Sequence, residues 1–410
     1  MKILWLSHLV PYPPKAGVLL RAHYLVKELA KHHEVHLLAF NQRALMEPYF
    51  ETYEQGTEIA LGVMKESCSR VHFIDCPMDK SPHSKKICAL KSLISPKPYN
   101  ISWLTDPEFG KLVNQWQLEE SYDLIHCDTI SLAPYVTHIN NTLLSMDHHN
   151  VESHMLSRRA HLEANPLKKL YFWQEGLKLE AYEKLTCPQF DTNLTCSELD
   201  SRRFQKICPN ASFTEIPNGV DTEFFTPSTS KQDPATLIFI GTLDWYPNTR
   251  AVRYIANEIW PRLKKVIPEA KINIIGAGAP SDLVNLSQND DNFNVLGFVD
   301  DLTPYLDDAT VYICPIDDGG GTKLKLLDAF AAGKAVIAHE VACEGLHVED
   351  GNQVVLANDP DTYIEKILLL VENRNLRQKL QHNARAHAEK SFSFSAIGKR
   401  LADHFSSLSD

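Results

Sequence analysis

No two of the nine cysteines stand in a CxxC pair, and their number is odd. Single, scattered cysteines of odd number argue against both a disulfide framework and a structural zinc site, and a reducing compartment is expected. No apolar run approaches the roughly 18 residues of a membrane span. The opening MKILWLS is too short for a signal peptide and runs straight into a strand pattern. A cytoplasmic protein is expected on these grounds. Basic charge is not in excess either: the formal net charge is -11, and acidic residues are spread along the chain. A nucleic-acid binder would be basic, so no nucleic-acid partner is expected. With 44% hydrophobic and 23% charged residues, the composition is that of a globular protein, not of a disordered chain or a fibre.

What is present is alternation. At 410 residues the chain exceeds the size at which one core keeps growing, so two domains are expected. Short apolar runs at 2–7, 34–40, 70–76, 123–127, 141–147, 191–196 and 212–217 alternate with helical stretches. Such a pattern specifies a parallel sheet covered on both faces. In the helix predicted over 18–31, Leu19, Leu25, Val26 and Leu29 form one apolar face. The charged stretch 152–186 reads as helical with a break at Asn165-Pro166.

Residues 218–234, dense in Pro, Ser, Thr and Asp, read as a linker. A second series of strands follows at 235–241, 271–276, 293–299, 310–315, 335–339 and 353–357. The chain closes with helices at 361–372, 375–390 and 395–406. The expected organisation is α/β: two doubly wound Rossmann-like domains, 1–217 and 235–392, facing a central cleft. The terminal helix, 393–410, is a candidate to pack back on the first domain.

The segment CPIDDGGGTKLKLLDAFAAG at 314–333 carries the strongest chemical signal. A strand ends at Pro315, Gly319, Gly320 and Gly321 follow, and a helix is predicted to start near Thr322. Glycines let backbone N–H groups approach a ligand, and a helix N-terminus presents unpaired donors, so the segment suits a diphosphate. Lys323 and Lys325 fall in the first helical turn, where the macrodipole disfavours cations unless a polyanion is bound. Asp328 is placed to accept hydrogen bonds from ribose hydroxyls. The plain alternative is a glycine-rich turn with solvated lysines.

In the first half, Asp128 and the cluster Asp147, His148, His149 and Asn150 follow strands at their carboxyl ends, where ligands bind in open parallel sheets. Asp128 or one of the two histidines could orient an acceptor hydroxyl or relay its proton. The same DHHN group, or Asp317 with Asp318, could instead ligate a divalent metal; the reading adopted is that no metal is bound. NIIGAG at 273–278 is half of a dinucleotide fingerprint, but its third glycine and ribose acid are missing, which argues against an NAD site.

The 314–333 segment resembles the donor-binding signature of family 4 glycosyltransferases. IPNGVD at 216–221, FIGTLDWYPN at 239–248, LGFVDDLTPYL at 296–306 and CEGL at 343–346 are similar to that family's motifs in order and spacing. PYPPKAG at 11–17, DLIHCD at 123–128 and CSELDSRRF at 196–204 resemble it more loosely. The resemblance implies a GT-B fold and a retaining, metal-independent transfer from a UDP- or GDP-sugar, with no tightly bound cofactor.

It also implies a saccharide or glycolipid acceptor in surface polysaccharide assembly, which makes the inner face of a membrane a candidate setting and peripheral membrane contact a candidate property. By the same resemblance Gly17 and Arg21 lie near the donor phosphates, Asp128 faces the sugar, and Lys323 stabilises the departing diphosphate, with Asp128 and His149 the acceptor-side catalytic candidates. Gly241, Asp318 and Thr322 belong to the donor loops.

Two departures stand out. The family's first glutamate falls on Gly320 and its second on Asp328, and the Arg and Lys that often follow the first strand of the second domain are replaced by TLDWYPN after Gly241. A GT-B epimerase, a phosphorylase or a non-catalytic partner of the same fold are the rival readings.

Overall fold

The computed structural model describes residues 1–15, 17–227, 235–318 and 322–409. The triple glycine 319–321 lies outside the described residues. Two compact units emerge: Met1–Pro217 with Ile397–Asp410, and Asn218–Ala396.

The first unit is built on seven parallel strands: β1 (Lys2–Ser7), β2 (Glu34–Asn41), β3 (Arg70–Asp75), β4 (Leu124–Cys127), β5 (Leu143–His148), β6 (Thr192–Thr195) and β7 (Phe213–Glu215). Their order is β3-β2-β1-β4-β5-β6-β7. β1 shows why the runs are continuous and not alternating: Ile3 to Ser7 are all buried, as a central parallel strand with both faces covered requires. The helix Gly17–Leu29 covers one face with Leu25, Val26 and Leu29, in one apolar cluster with Ile3 and Trp5. Ile397, Leu401 and Phe405 of the last helix, Phe394–Ser407, complete that cluster. Gly398 permits the approach, because a Cβ there would stand 2.1 Å from Glu28 Cβ.

The second unit has six parallel strands: β8 (Thr236–Ile240), β9 (Lys271–Ile275), β10 (Phe293–Gly297), β11 (Val311–Cys314), β12 (Ala335–Ala338) and β13 (Val355–Leu356), ordered β10-β9-β8-β11-β12-β13. In each sheet the strand order reverses once, between β1 and β4 and between β8 and β11. A doubly wound sheet binds ligands at such switch points.

The stretch read as a linker is in part built into the second unit. Val220 N–H donates to Phe392 O at 2.8 Å, and Arg385 donates to Thr222 O at 2.9 Å. Residues 228–234 lie outside the described residues. The break at Asn165-Pro166 is real: helices Glu152–Leu162 and Pro166–Thr186 flank it, and the Asn165 side chain caps the second by accepting from Leu167 and Lys168 N–H.

Candidate functional site

At the β1/β4 switch point, His8 follows the last residue of β1 and Asp128 the last of β4, and the pairing of these strands brings them together. Asp128 is 1% exposed and accepts three hydrogen bonds, from Ser7 Oγ at 2.5 Å, His8 N–H at 2.9 Å and His8 Nδ1 at 2.9 Å. Burial works against charge on both groups, but their mutual attraction outweighs it. The Asp128 carboxyl is held below its ordinary value and the His8 imidazole above. Each group thus favours the charged form of the other.

His149 stands against His8, with ring centroids 5.7 Å apart. Its Nε2 is buried without a hydrogen-bond partner, and burial, only partly opposed by Asp147, lowers its pKa. The cluster therefore joins the His8–Asp128 pair to an imidazole whose Nε2 has no partner among the described residues. One ligand atom each from His8, Asp128 and His149 lie within 4.8 Å of one another, a donor set that could hold a divalent cation. His8 was not singled out from the sequence; its one signal was its place at the end of a strand beside Asp128.

The DHHN cluster divides in the structure. Asp147, 1% exposed, forms a bidentate pair with Arg21, Nε to Oδ2 at 2.8 Å and Nη2 to Oδ1 at 3.0 Å. Despite desolvation, the Arg21 charge takes the Asp147 pKa down to about 2. His148 is buried, bonded to Asn193 at 3.1 Å and packed on Phe204, and burial takes it down to about 4. Both belong to the scaffold.

Arg21, expected beside phosphates, is 3% exposed; besides Asp147 it donates to Pro217 O at 3.0 Å, which makes it the counter-ion of a buried carboxylate. An isolated Asp147 in the sheet would be strongly disfavoured, hence the pairing. Gly17 begins the Arg21 helix.

Beside the β8/β11 switch point the loops that follow β8 and β9 interlock. Gly241 N–H donates to Ile275 O at 2.8 Å and Leu243 N–H to Ala277 O at 2.6 Å. Gly276, at φ +156°, could carry no side chain, since a Cβ there would stand 1.9 Å from Gly241 O. A Cβ at Gly241 would instead meet side-chain ends, Lys325 Nζ at 2.3 Å and Asn248 Nδ2 at 2.9 Å.

The helix after β11 begins at Leu324, not near Thr322, and Lys323 is its N-cap residue. Lys325 does not project into solvent as a first-turn lysine would. It is partly buried, donates to Asn248 Oδ1 at 2.5 Å and lies 4.8 Å from the centre of the Phe239 ring. Desolvation lowers its pKa to about 8, and among the described residues no carboxylate lies within ion-pair distance of it. One turn on, desolvation raises Asp328 to about 7.

Asp318 accepts from Tyr246 Oη at 2.9 Å, and Asp317 pairs with Arg250 at 2.6 Å, both at the surface. These contacts tie the loop to the helix Tyr246–Tyr254, each with at most about 1 kcal/mol. Asp317 is thus engaged with Arg250 instead of open to a sugar or a metal. Asn248 and Phe239 escaped the sequence reading because nothing in the periodicity shows that Lys325 turns inward.

Residues 234–373 match the family model described as glycosyl transferases group 1. The chain is 26% identical over 294 residues to the phosphatidyl-myo-inositol mannosyltransferase of Mycolicibacterium smegmatis, covering 69% of this chain and 71% of that one. It is 28% identical over 227 residues to a GDP-mannose-dependent monoacylated alpha-(1-6)-phosphatidylinositol monomannoside mannosyltransferase of Corynebacterium glutamicum, covering 50% and 60%. The sucrose-phosphate synthase of Thermosynechococcus elongatus superposes over 100% of this chain and 99% of its own, with a TM-score of 0.67 at 16% identity. That likeness establishes the GT-B fold. The chain is a glycosyltransferase with its group 1 domain in the second unit, and it is similar to enzymes of the family 4 type.

Proposed function

We propose that the protein moves a hexose from a nucleotide diphosphate donor, a UDP- or GDP-sugar, to a saccharide or glycolipid acceptor with retention of configuration. In this reading the second unit holds the donor and the first the acceptor.

Lys325 is the observation that carries it. A lysine with a depressed pKa and, among the described residues, no carboxylate partner, at the switch point where the strands end, is a site prepared for an anion. A diphosphate beside Lys323 and Lys325 gives Lys325 a counter-charge, and negative charge grows on it as the glycosidic bond breaks, so the two lysines stabilise departure. Asp328, ionised, accepts from the ribose hydroxyls.

On the acceptor side Asp128 already accepts three hydrogen bonds and its pKa is depressed, which makes it a poor base. The neutral imidazole of His149 with its vacant Nε2 is better suited to orient the incoming hydroxyl, and the leaving phosphate oxygen can take the proton. The mannosyltransferase relatives make GDP-mannose and a phosphatidylinositol-type lipid the first donor and acceptor to try. Assembly of a surface glycolipid or polysaccharide is the setting this supports.

A thermal-shift screen of nucleotide sugars tests the reading. A donor at 100 times its Kd should add about 2.7 kcal/mol. Lys323→Ala should remove that shift while the unliganded melting temperature holds. If no nucleotide diphosphate sugar raises the melting temperature, or if the variant responds like the parent, the reading fails.

A further inference from the structure

Asn248 stands in the first turn of the helix Tyr246–Tyr254 and is 6% exposed. Both ends of its amide are engaged: Nδ2 donates to Thr242 O at 2.8 Å, and Oδ1 accepts from Lys325 Nζ at 2.5 Å. A backbone carbonyl only accepts and an ammonium only donates, so one orientation of the amide alone satisfies both neighbours. The backbone anchors the residue as well, through Asn248 N–H to Trp245 O at 3.0 Å. One side chain thus joins the loop after β8 to the helix after β11.

The amine of Lys325 is held on further sides without a counter-charge. The Phe239 ring centre lies 4.8 Å from it, a distance at which a ring face attracts a cation. The missing side chain of Gly241 makes room for it, since a Cβ there would stand 2.3 Å from Nζ. Of the titratable groups that act on the amine, Cys314 and Asp328 favour its charge and Lys323 opposes it. Among the described residues Asn248 is the one acceptor of its N–H groups, which leaves two of the three for phosphate oxygens.

A lysine side chain that is already aimed loses less freedom when an anion arrives. An amide oxygen aims the ammonium by its dipole and leaves the unit charge for the ligand, whereas a carboxylate at the same place would pair with it. Resting on the donor reading above, we infer that Asn248 is a positioning residue for the transfer: it directs the Lys325 amine at the diphosphate and, being an amide and not an acid, does so without neutralising it.

Calorimetric titration of GDP and UDP into the full chain tests this in a cycle of Asn248→Ala, Lys325→Ala and the double variant. Asn248→Ala should weaken binding about tenfold, the scale of one hydrogen bond to a charged group. That loss should vanish where Lys325 is already Ala and persist in a Lys323→Ala background. The pH profile gives a second readout. Without the amide the charged amine loses a hydrogen bond, so the alkaline fall in affinity should begin at lower pH in Asn248→Ala. Asn248→Asp should bind more weakly at neutral pH, because its carboxylate competes with the diphosphate, and its alkaline fall should begin at higher pH. A role in packing alone would not move the two profiles in opposite directions. An unchanged Kd in Asn248→Ala, or a loss of the same size with and without Lys325, overturns this inference and leaves the donor reading standing. So does an Asn248→Asp profile that coincides with the parent's. If Lys325→Ala binds both nucleotides as the parent does, the donor reading falls and this inference with it.

Discussion

The amine of Lys325 donates to the Asn248 side chain at 2.5 Å and lies 4.8 Å from the centre of the Phe239 ring, so a polar amide and an aromatic face stand where a carboxylate would ordinarily be. Desolvation holds its pKa near 8 and raises that of Asp328, on the same helix, to about 7. These two groups set the pH behaviour expected of donor binding.

Only charged Lys325 attracts a diphosphate, so affinity should fall as pH rises above about 8. Only ionised Asp328 accepts from ribose hydroxyls, so affinity should also fall as pH drops below about 7. Calorimetric titration with GDP or UDP should find the tightest binding between these values, with limbs approaching one log unit of Kd per pH unit at most. A flat profile from pH 6 to 9 contradicts the pairing of roles.

Arg21 is the counter-ion of buried Asp147. Arg21→Ala leaves that carboxylate unpaired and is expected to cost roughly 3 to 5 kcal/mol in denaturant unfolding. A paired replacement such as Arg21→Met with Asp147→Leu should be far less destabilising than the single change. Arg21→Lys should lower stability with donor Kd changed by no more than about twofold, because Lys cannot reproduce the bidentate fork. Lost donor affinity at unchanged stability would move Arg21 to the phosphates.

His149→Ala is expected to lower kcat by about 100-fold or more with donor Kd preserved, since its Nε2 is vacant and the proposed donor site lies in the second unit. Activity should survive EDTA even though His8, Asp128 and His149 converge within 4.8 Å. Loss in EDTA restored by a divalent cation would assign the cluster to a metal.

Glu183 is fully buried, accepts from Ser153 Oγ and N–H, and is pushed by desolvation to about 8 from an ordinary 4.5. The folded chain therefore holds a proton that the unfolded chain releases between pH 4.5 and 8, and stability falls as pH rises through that window. Glu183→Gln should remove that decline and gain about 2 to 4 kcal/mol above pH 8. Parallel stability profiles for parent and variant would show that Glu183 is not the titrating group.

Much of the fold was legible because parallel strands buried on both faces must read as short continuous apolar runs; β1 was placed to the residue and β5 within two at either end. The break at Asn165-Pro166 was legible for the same local reason, a capping side chain followed by a residue with no N–H to donate. What stayed hidden depends on contacts distant in sequence. Arg21 and Asp147 are 126 positions apart, and nothing near either one announces the pair. His8 acquires meaning only when β1 pairs with β4. In KLKLLDAF a helical period is visible, yet it does not reveal that Lys325 turns toward Asn248, nor that the helix starts two residues later than the glycines suggest.

A crystal structure of the protein with bound GDP or UDP is the most direct measurement of whether the loop and helix after β11 hold a diphosphate. Phosphate oxygens are expected about 3 Å from Lys325 Nζ or Lys323 Nζ. A nucleotide bound with its diphosphate away from residues 317–328 would contradict it.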